Sequence, residues 1–318
     1  MKSLRPPEIV QLLDEHIVGQ QRAKRALAVA IRNRWRDQQI DTGFRDDRIP
    51  YRYILTGPRG AGKTTLVRRA ALVLEAPFAS VSVSQLASAG SADRAIELAC
   101  EALVQSARCI SETTDLDAAI LDVESSGILL IDGFDRWLHG TDDTLDEPLQ
   151  IAQLALYGLA AAPRLDVAFG QVHARNIMVF VTGDLTAARH ADVPDDLQHL
   201  FPRRLELDAL THADLLDILV NPNMSPLNDF AALLHADGLQ IVFSRDGIEA
   251  IAGAASDLNT RIEDIGARRL IEVVEFVLDD LLYDGTSAAA SSVTIDEAYV
   301  ASRLSAERDD EDLDDFIL

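Results

Sequence analysis

Between Pro7 and Gln39 the apolar residues Ile9, Leu12 and Leu13, then Ala26, Leu27, Val29, Ala30 and Ile31, recur at helical spacing around the break Ile17-Val18-Gly19-Gln20. That spacing predicts two helices joined by a short turn. Tyr51-Arg52-Tyr53-Ile54-Leu55-Thr56 is β-rich and runs into a Gly/Pro-dense turn, after which Thr64 to Leu74 reads as a helix. Short apolar runs at Phe78–Val83, Gly127–Ile131 and Asn176–Val181 are separated by helical stretches. Such alternation predicts an α/β domain with a largely parallel sheet under helices. Beyond Leu210 the strand signal fades, and Ala213–Leu219, Asp246–Ala255, Ala267–Leu282 and Ile295–Leu304 read as helices. A boundary near Asp208 to His212 therefore divides an α/β domain, 1–210, from a smaller helical domain, 211–306, with an acidic tail at 307–318. Ser111–Ser126 and Gly140–Pro148 read as acidic loops, and there is no internal repeat.

Length and charge narrow this picture. A chain of 318 residues is long for one core, and 48% hydrophobic with 25% charged residues is an ordinary globular composition. A net charge of −23 argues against a nucleic-acid surface, since that affinity comes from cations displacing counterions. Arg22, Lys24, Arg25, Arg32, Arg34 and Arg36 crowd one helical segment, read as a solvated or subunit-facing face. Cys100 and Cys109 are too few for a disulfide framework, and no apolar run nears the roughly 20 residues of a membrane span. A cytoplasmic protein without membrane or nucleic-acid partners is the expectation.

The chemistry concentrates in Gly57-Pro58-Arg59-Gly60-Ala61-Gly62-Lys63-Thr64, a G-x-x-x-x-G-K-[ST] loop placed between a predicted strand and a predicted helix. Glycines let backbone N–H groups approach phosphates and the helix N-terminus adds positive potential. Lys63 reaches the β/γ-phosphates and the Thr64 hydroxyl ligates Mg²⁺, with Thr65 completing the first turn. A second Mg²⁺ anchor is expected where an apolar strand ends in Asp, and Gly127-Ile128-Leu129-Leu130-Ile131-Asp132 supplies it. These groups predict binding of ATP or ADP alike. The neighbour of Asp132 is Gly133, so the carboxylate that would polarise an attacking water is missing there. Asp135, three residues on, is the nearest further carboxylate; a continued strand would put it on the opposite face, and a change to loop would redirect it.

Asp14-Glu15-His16-Ile17-Val18-Gly19-Gln20, Ala23-Lys24-Arg25-Ala26 and Ile31-Arg32-Asn33-Arg34-Trp35-Arg36 resemble the opening of HslU, the AAA+ unfoldase related to ClpX that works with the HslV peptidase. Gly266-Ala267-Arg268-Arg269-Leu270 resembles its sensor-2 box. Asp310-Glu311-Asp312-Leu313 and the terminal Phe316-Ile317-Leu318 resemble its tail. The resemblance implies an AAA+ P-loop NTPase domain followed by a helical lid. Ile17 and Val18 would contact adenine, Thr182 would serve as sensor 1 and Arg268 as sensor 2. The ring would be hexameric, made of this chain alone or mixed with an intact HslU. Leu313, Phe316, Ile317 and Leu318 would anchor on an HslV-type peptidase.

Departures from that family follow. Leu200, in Leu197-Gln198-His199-Leu200-Phe201-Pro202, stands where HslU carries its arginine finger, with Arg203 and Arg204 the nearest substitutes. Gly90-Ser91-Ala92-Asp93 stands where HslU has an aromatic pore loop, and only Cys109 to Ser126 occupies the place of its large inserted domain. A finger contributes roughly 10³–10⁵-fold in rate and a positioned base roughly 10²–10⁴-fold. Slow hydrolysis with intact binding is the expectation, set against a working ATPase with substitute groups and a nucleotide-gated scaffold with no peptidase.

Overall fold

The computed structural model describes residues 4–40, 51–137, 146–183, 195–284 and 292–306. They contain nine strands: β1 (Arg52–Thr56), β2 (Phe78–Ser82), β3 (Ile128–Asp132), β4 (Arg164–Val167), β5 (Gly170–His173), β6 (Met178–Thr182), β7 (Arg203–Glu206), β8 (Gln240–Phe243) and β9 (Ser292–Ile295). The described chain falls into two compact units, one of 1–14, 20–57 and 63–207, the other of 15–19, 58–62 and 208–318. The second unit thus takes two short segments that a single division along the sequence assigns to the first.

In the first unit β2, β3, β6, β1 and β7 lie side by side in that order, every pair parallel. The central runs are apolar at successive positions because helices cover both faces; all five residues of β6 and four of five in β1 and β3 are buried. Val83, Leu86, Leu103, Val123, Leu129, Phe134, Leu156 and Val181 belong to the core beside the sheet. β4 and β5 form an antiparallel hairpin that the sequence reading passed over.

Ser111–Ser126 is not a loop throughout. Leu116–Ser126 is a helix, capped by Asp115, whose side chain accepts from Asp117 N at 3.0 Å. Leu116, Ala119, Ile120 and Val123 keep helical spacing among the acidic residues and pack on the core.

The basic helix Gln21–Gln39 is also not one solvated face. Arg22, Arg25 and Arg36 are exposed, whereas Lys24 and Arg34 are buried. Lys24 pairs with Asp14. Arg34 donates to the carbonyls of Ser126 and Gly127, each at 3.1 Å, joining the end of one helix to the start of β3. Burial pushes its pKa down to about 10, which leaves it charged at neutral pH. Arg52, likewise buried, donates to Ile177 O at 2.7 Å and Ala160 O at 3.1 Å. Charged side chains here satisfy carbonyls at element ends that nothing apolar can satisfy.

The second unit packs Leu215, Leu219, Phe230, Leu234, Ile251, Leu270, Val274 and Leu278 around one core. The expected helices are present as His212–Val220, Arg245–Arg261, Arg268–Asp284 and Glu297–Ala306. A two-stranded parallel pair, β8 with β9, is added to them. No described helix is long and apolar enough to cross a membrane.

Cys100 is buried and Cys109 exposed. Burial pushes the Cys100 thiol up to about 12, so its thiolate is scarce at any ordinary pH. A thiol-reactive dye at pH 8 is expected to label one equivalent in the native protein and two in urea; rapid labelling of both in the native protein would contradict this packing.

Candidate functional site

β1 delivers the chain into the phosphate loop. Leu207 N donates to Thr56 O at 2.9 Å. A Cβ on Gly57 would lie 2.4 Å from Leu207 O, so this position, at φ +134°, admits only glycine. Gly60 and Gly62 follow at φ +67° and +94°. Nothing lies within 4 Å of where a Cβ on Gly62 would be, so that side of the loop is open among the described residues. Lys63 begins the helix Lys63–Leu74 and donates to Gly57 O at 2.7 Å, folding its ammonium back over the loop. Thr64 is half-buried and Thr65 exposed in the same first turn, while of the loop's remaining members Ala61 is buried, Pro58 half-buried and Arg59 exposed.

Asp132 ends β3, exposed, and pairs in register with Thr182 at the end of β6. Thr182 is buried, and its Oγ1 has no hydrogen-bond partner among the described residues. A buried hydroxyl with nothing to bond is costly unless a ligand or water completes it. The open glycine, the folded-back lysine, the exposed carboxylate and the orphaned hydroxyl fit a magnesium-bound nucleoside polyphosphate.

The groups for hydrolysis do not assemble in the same way. The strand stops at Asp132; Gly133 takes φ +94° and donates to Thr182 O at 2.9 Å. Asp135 thereby leaves the strand for the short 3₁₀ turn Phe134–Trp137 and lies against Gly183, where an added Cβ would meet its Oδ1 at 2.2 Å. The strand does not continue to Asp135, so strand alternation does not set where its carboxylate lies. Arg203 donates to Tyr53 Oη at 2.8 Å and lies over the Tyr51 and Tyr53 rings at 5.8 and 5.6 Å. Tyr53 in turn stacks on Phe180 with centroids 5.1 Å apart. These contacts make Arg203 part of the sheet's packing. Arg204 is exposed on β7, and Leu200 packs against the core at the end of the helix Asp195–Leu200.

Ser91, within the stretch expected at the place of a pore loop, caps the helix Ala92–Ile110, its Oγ accepting from Arg94 N at 3.2 Å. Leu313, Phe316, Ile317 and Leu318 lie outside the described residues.

In the second unit Ile17 is buried and Val18 half-buried, beside Gly19 at φ +62°. Arg268 is exposed at the start of the helix Arg268–Asp284. Arg269 is buried and donates to Glu272 Oε2 at 2.7 Å and Glu263 O at 3.1 Å. Of the adjacent arginines, one braces the helix and the other is exposed. The sequence reading missed what Gly60 touches: a Cβ there would lie 1.7 Å from Ile265 O. Paired glycines at 60 and 266 were the available signal, and nothing local in the sequence relates them.

Residues 53–208 match the family described as ATPase family associated with various cellular activities (AAA). The whole chain also aligns with the whole length of proteins named ATP-dependent protease ATPase subunit HslU. Identity is 26% with that of Rhodospirillum centenum, 28% with that of Parvibaculum lavamentivorans and 27% with that of Xanthobacter autotrophicus. The chain carries an AAA ATPase domain and is similar along its whole length to these HslU subunits. It is shorter than they are. The alignments span 437, 435 and 436 positions against 318 residues here, so between 117 and 119 positions of each face a gap in this chain. It has the α/β P-loop fold, with the AAA match starting inside β1 and ending just past β7.

Proposed function

We propose that the chain binds ATP or ADP with Mg²⁺ at Gly57–Thr65, Asp132 and Thr182, with Ile17 and Val18 on the base and Arg268 on the phosphates, and that it hydrolyses ATP very slowly. Lys63 neutralises the β/γ-phosphates, Thr64 and Asp132 hold the metal, and the Thr182 hydroxyl donates to the terminal phosphate or its water. The metal supplies charge neutralisation on the phosphates; the chain's own groups do the positioning. The observation that carries this reading is the orphaned Thr182 hydroxyl beside an exposed Asp132 whose next residue, Gly133, turns the strand away. Nucleotide then acts as an assembly ligand, stabilising a ring-competent state by mass action. The ring is hexameric, of this chain alone or with an intact HslU, and the 307–318 tail contacts an HslV-type peptidase in the cytoplasm.

Calorimetric titration with ATP and Mg²⁺ tests the reading. Binding is expected in the native chain and weaker by about 10- to 100-fold in Lys63→Ala, the worth of one or two charge-assisted bonds. No heat with ATP or ADP in the native chain would overturn it. The alternative of a working ATPase relies on Asp135, Arg203 or Arg204. The seating of Asp135 on Gly183 and of Arg203 on Tyr53 speaks against it. Deleting 316–318 and assaying peptidase co-purification separates the peptidase partner from a scaffold.

A further inference from the structure

Between the helices Arg245–Arg261 and Arg268–Asp284 the second unit carries a short link whose shape is held by the side chains of Asn259 and Asp264. Asn259 Nδ2 donates to Gly266 O at 3.1 Å, and its Oδ1 accepts from Ile265 N at 3.3 Å. Asp264 Oδ1 accepts from Gly266 N at 2.9 Å. The tip of the phosphate loop, in the same unit, rests on this link through close backbone contact. Ala267 N donates to Gly60 O at 3.3 Å, and a Cβ on Gly266 would lie 2.7 Å from the Gly60 carbonyl carbon. Arg59 adds an ion pair with Glu263 at 3.1 Å. Arg268 is the next residue after this braced contact. Its backbone is therefore placed by the link and by the loop together, while its neighbour Arg269 is engaged with Glu263 and Glu272.

We propose that Asn259 is a positioning residue for Arg268: by holding residues 264–267 in the shape on which Gly60 rests, it aims the Arg268 guanidinium at the terminal phosphate of a nucleoside triphosphate. This rests on the nucleotide reading above. An amide is suited to the task because it donates and accepts at once, closing both an N–H and a C=O of a tight link without charge.

The test is a double-mutant cycle in the full chain, read as the ratio of ATP to ADP affinity with Mg²⁺ by calorimetry. The native chain favours ATP, and Arg268→Ala and Asn259→Ala each lower that preference by about tenfold, the worth of one charge-assisted contact. The double variant falls no further, because the two act on one contact. Asn259→Asp, which keeps the acceptor for Ile265 N and loses the donor to Gly266 O, gives an intermediate ratio and carries the test should Asn259→Ala not fold. A merely structural role lowers both affinities together and leaves the ratio alone. An unchanged ratio in the Asn259 variants, losses that multiply in the double variant, or a native chain that binds both nucleotides equally overturns this assignment while the nucleotide site stands. Absence of any nucleotide binding by the native chain removes both.

Discussion

Arg34→Ala is expected to lower the unfolding free energy of the first unit by about 3–5 kcal/mol, because it opens a buried cavity and takes a donor from two carbonyls, of which only Gly127 O keeps another, Met178 N. Both carbonyls, Ser126 and Gly127, lie where the helix Leu116–Ser126 hands over to β3, the strand that carries Asp132. Arg34→Met separates the terms. It keeps most of the volume and loses only the donors, so a smaller loss, about 2–3 kcal/mol, is expected. Lysine is expected to do little better than methionine, since its shorter side chain leaves the ammonium short of the two carbonyls that Arg34 Nη1 reaches. Urea denaturation followed by circular dichroism measures all three; a change under about 1 kcal/mol for Arg34→Ala would refute the role given to this residue.

Turnover of ATP is expected to run about 10³-fold or more below that of a full-length HslU assayed alongside, the loss of a finger and a base being less than the product of the two. Replacing the missing carboxylate is not expected to cure this. Gly133 holds φ +94°, a left-handed conformation that costs a side-chain-bearing residue about 1–2 kcal/mol, and its N–H is bound to Thr182 O. Gly133→Glu therefore strains the strand end before it aims a carboxylate, and less than a tenfold rise in phosphate release is expected. Turnover within tenfold of the full-length relative, or full rescue by this one change, would overturn the account.

The parts legible in the sequence were those whose signal is local. The strands β1, β3 and β6 announce themselves because burial on both faces makes them largely apolar, and the phosphate loop because its glycines and Lys63 sit at fixed offsets. β7 was passed over because Arg203, Arg204 and Glu206 make it read as surface, and its pairing with β1 needs residues roughly 150 positions apart. The buried state of Arg34 was equally hidden: only the fold brings the carbonyls of 126 and 127 to a helix more than 90 residues earlier. In the site, Thr182 opposite Asp132 follows from two parallel strands in register, whereas the abutment of Gly60 on Gly266 depends on a long-range approach that no spacing rule encodes.

The strand order has a consequence for synthesis. β1 pairs only with β6 and β7, so Arg52 meets Val179 across 127 positions of chain. At about 5–20 residues per second, the ribosome takes roughly 6–25 s to supply that partner after β1 has been made. Throughout that interval the nascent N-terminal portion holds an apolar segment with nothing to lie against, a natural client for a chaperone, and the loop continuous with it has no fixed frame. A stalled product ending before residue 176 should accordingly be caught by chaperones and be unable to retain nucleotide.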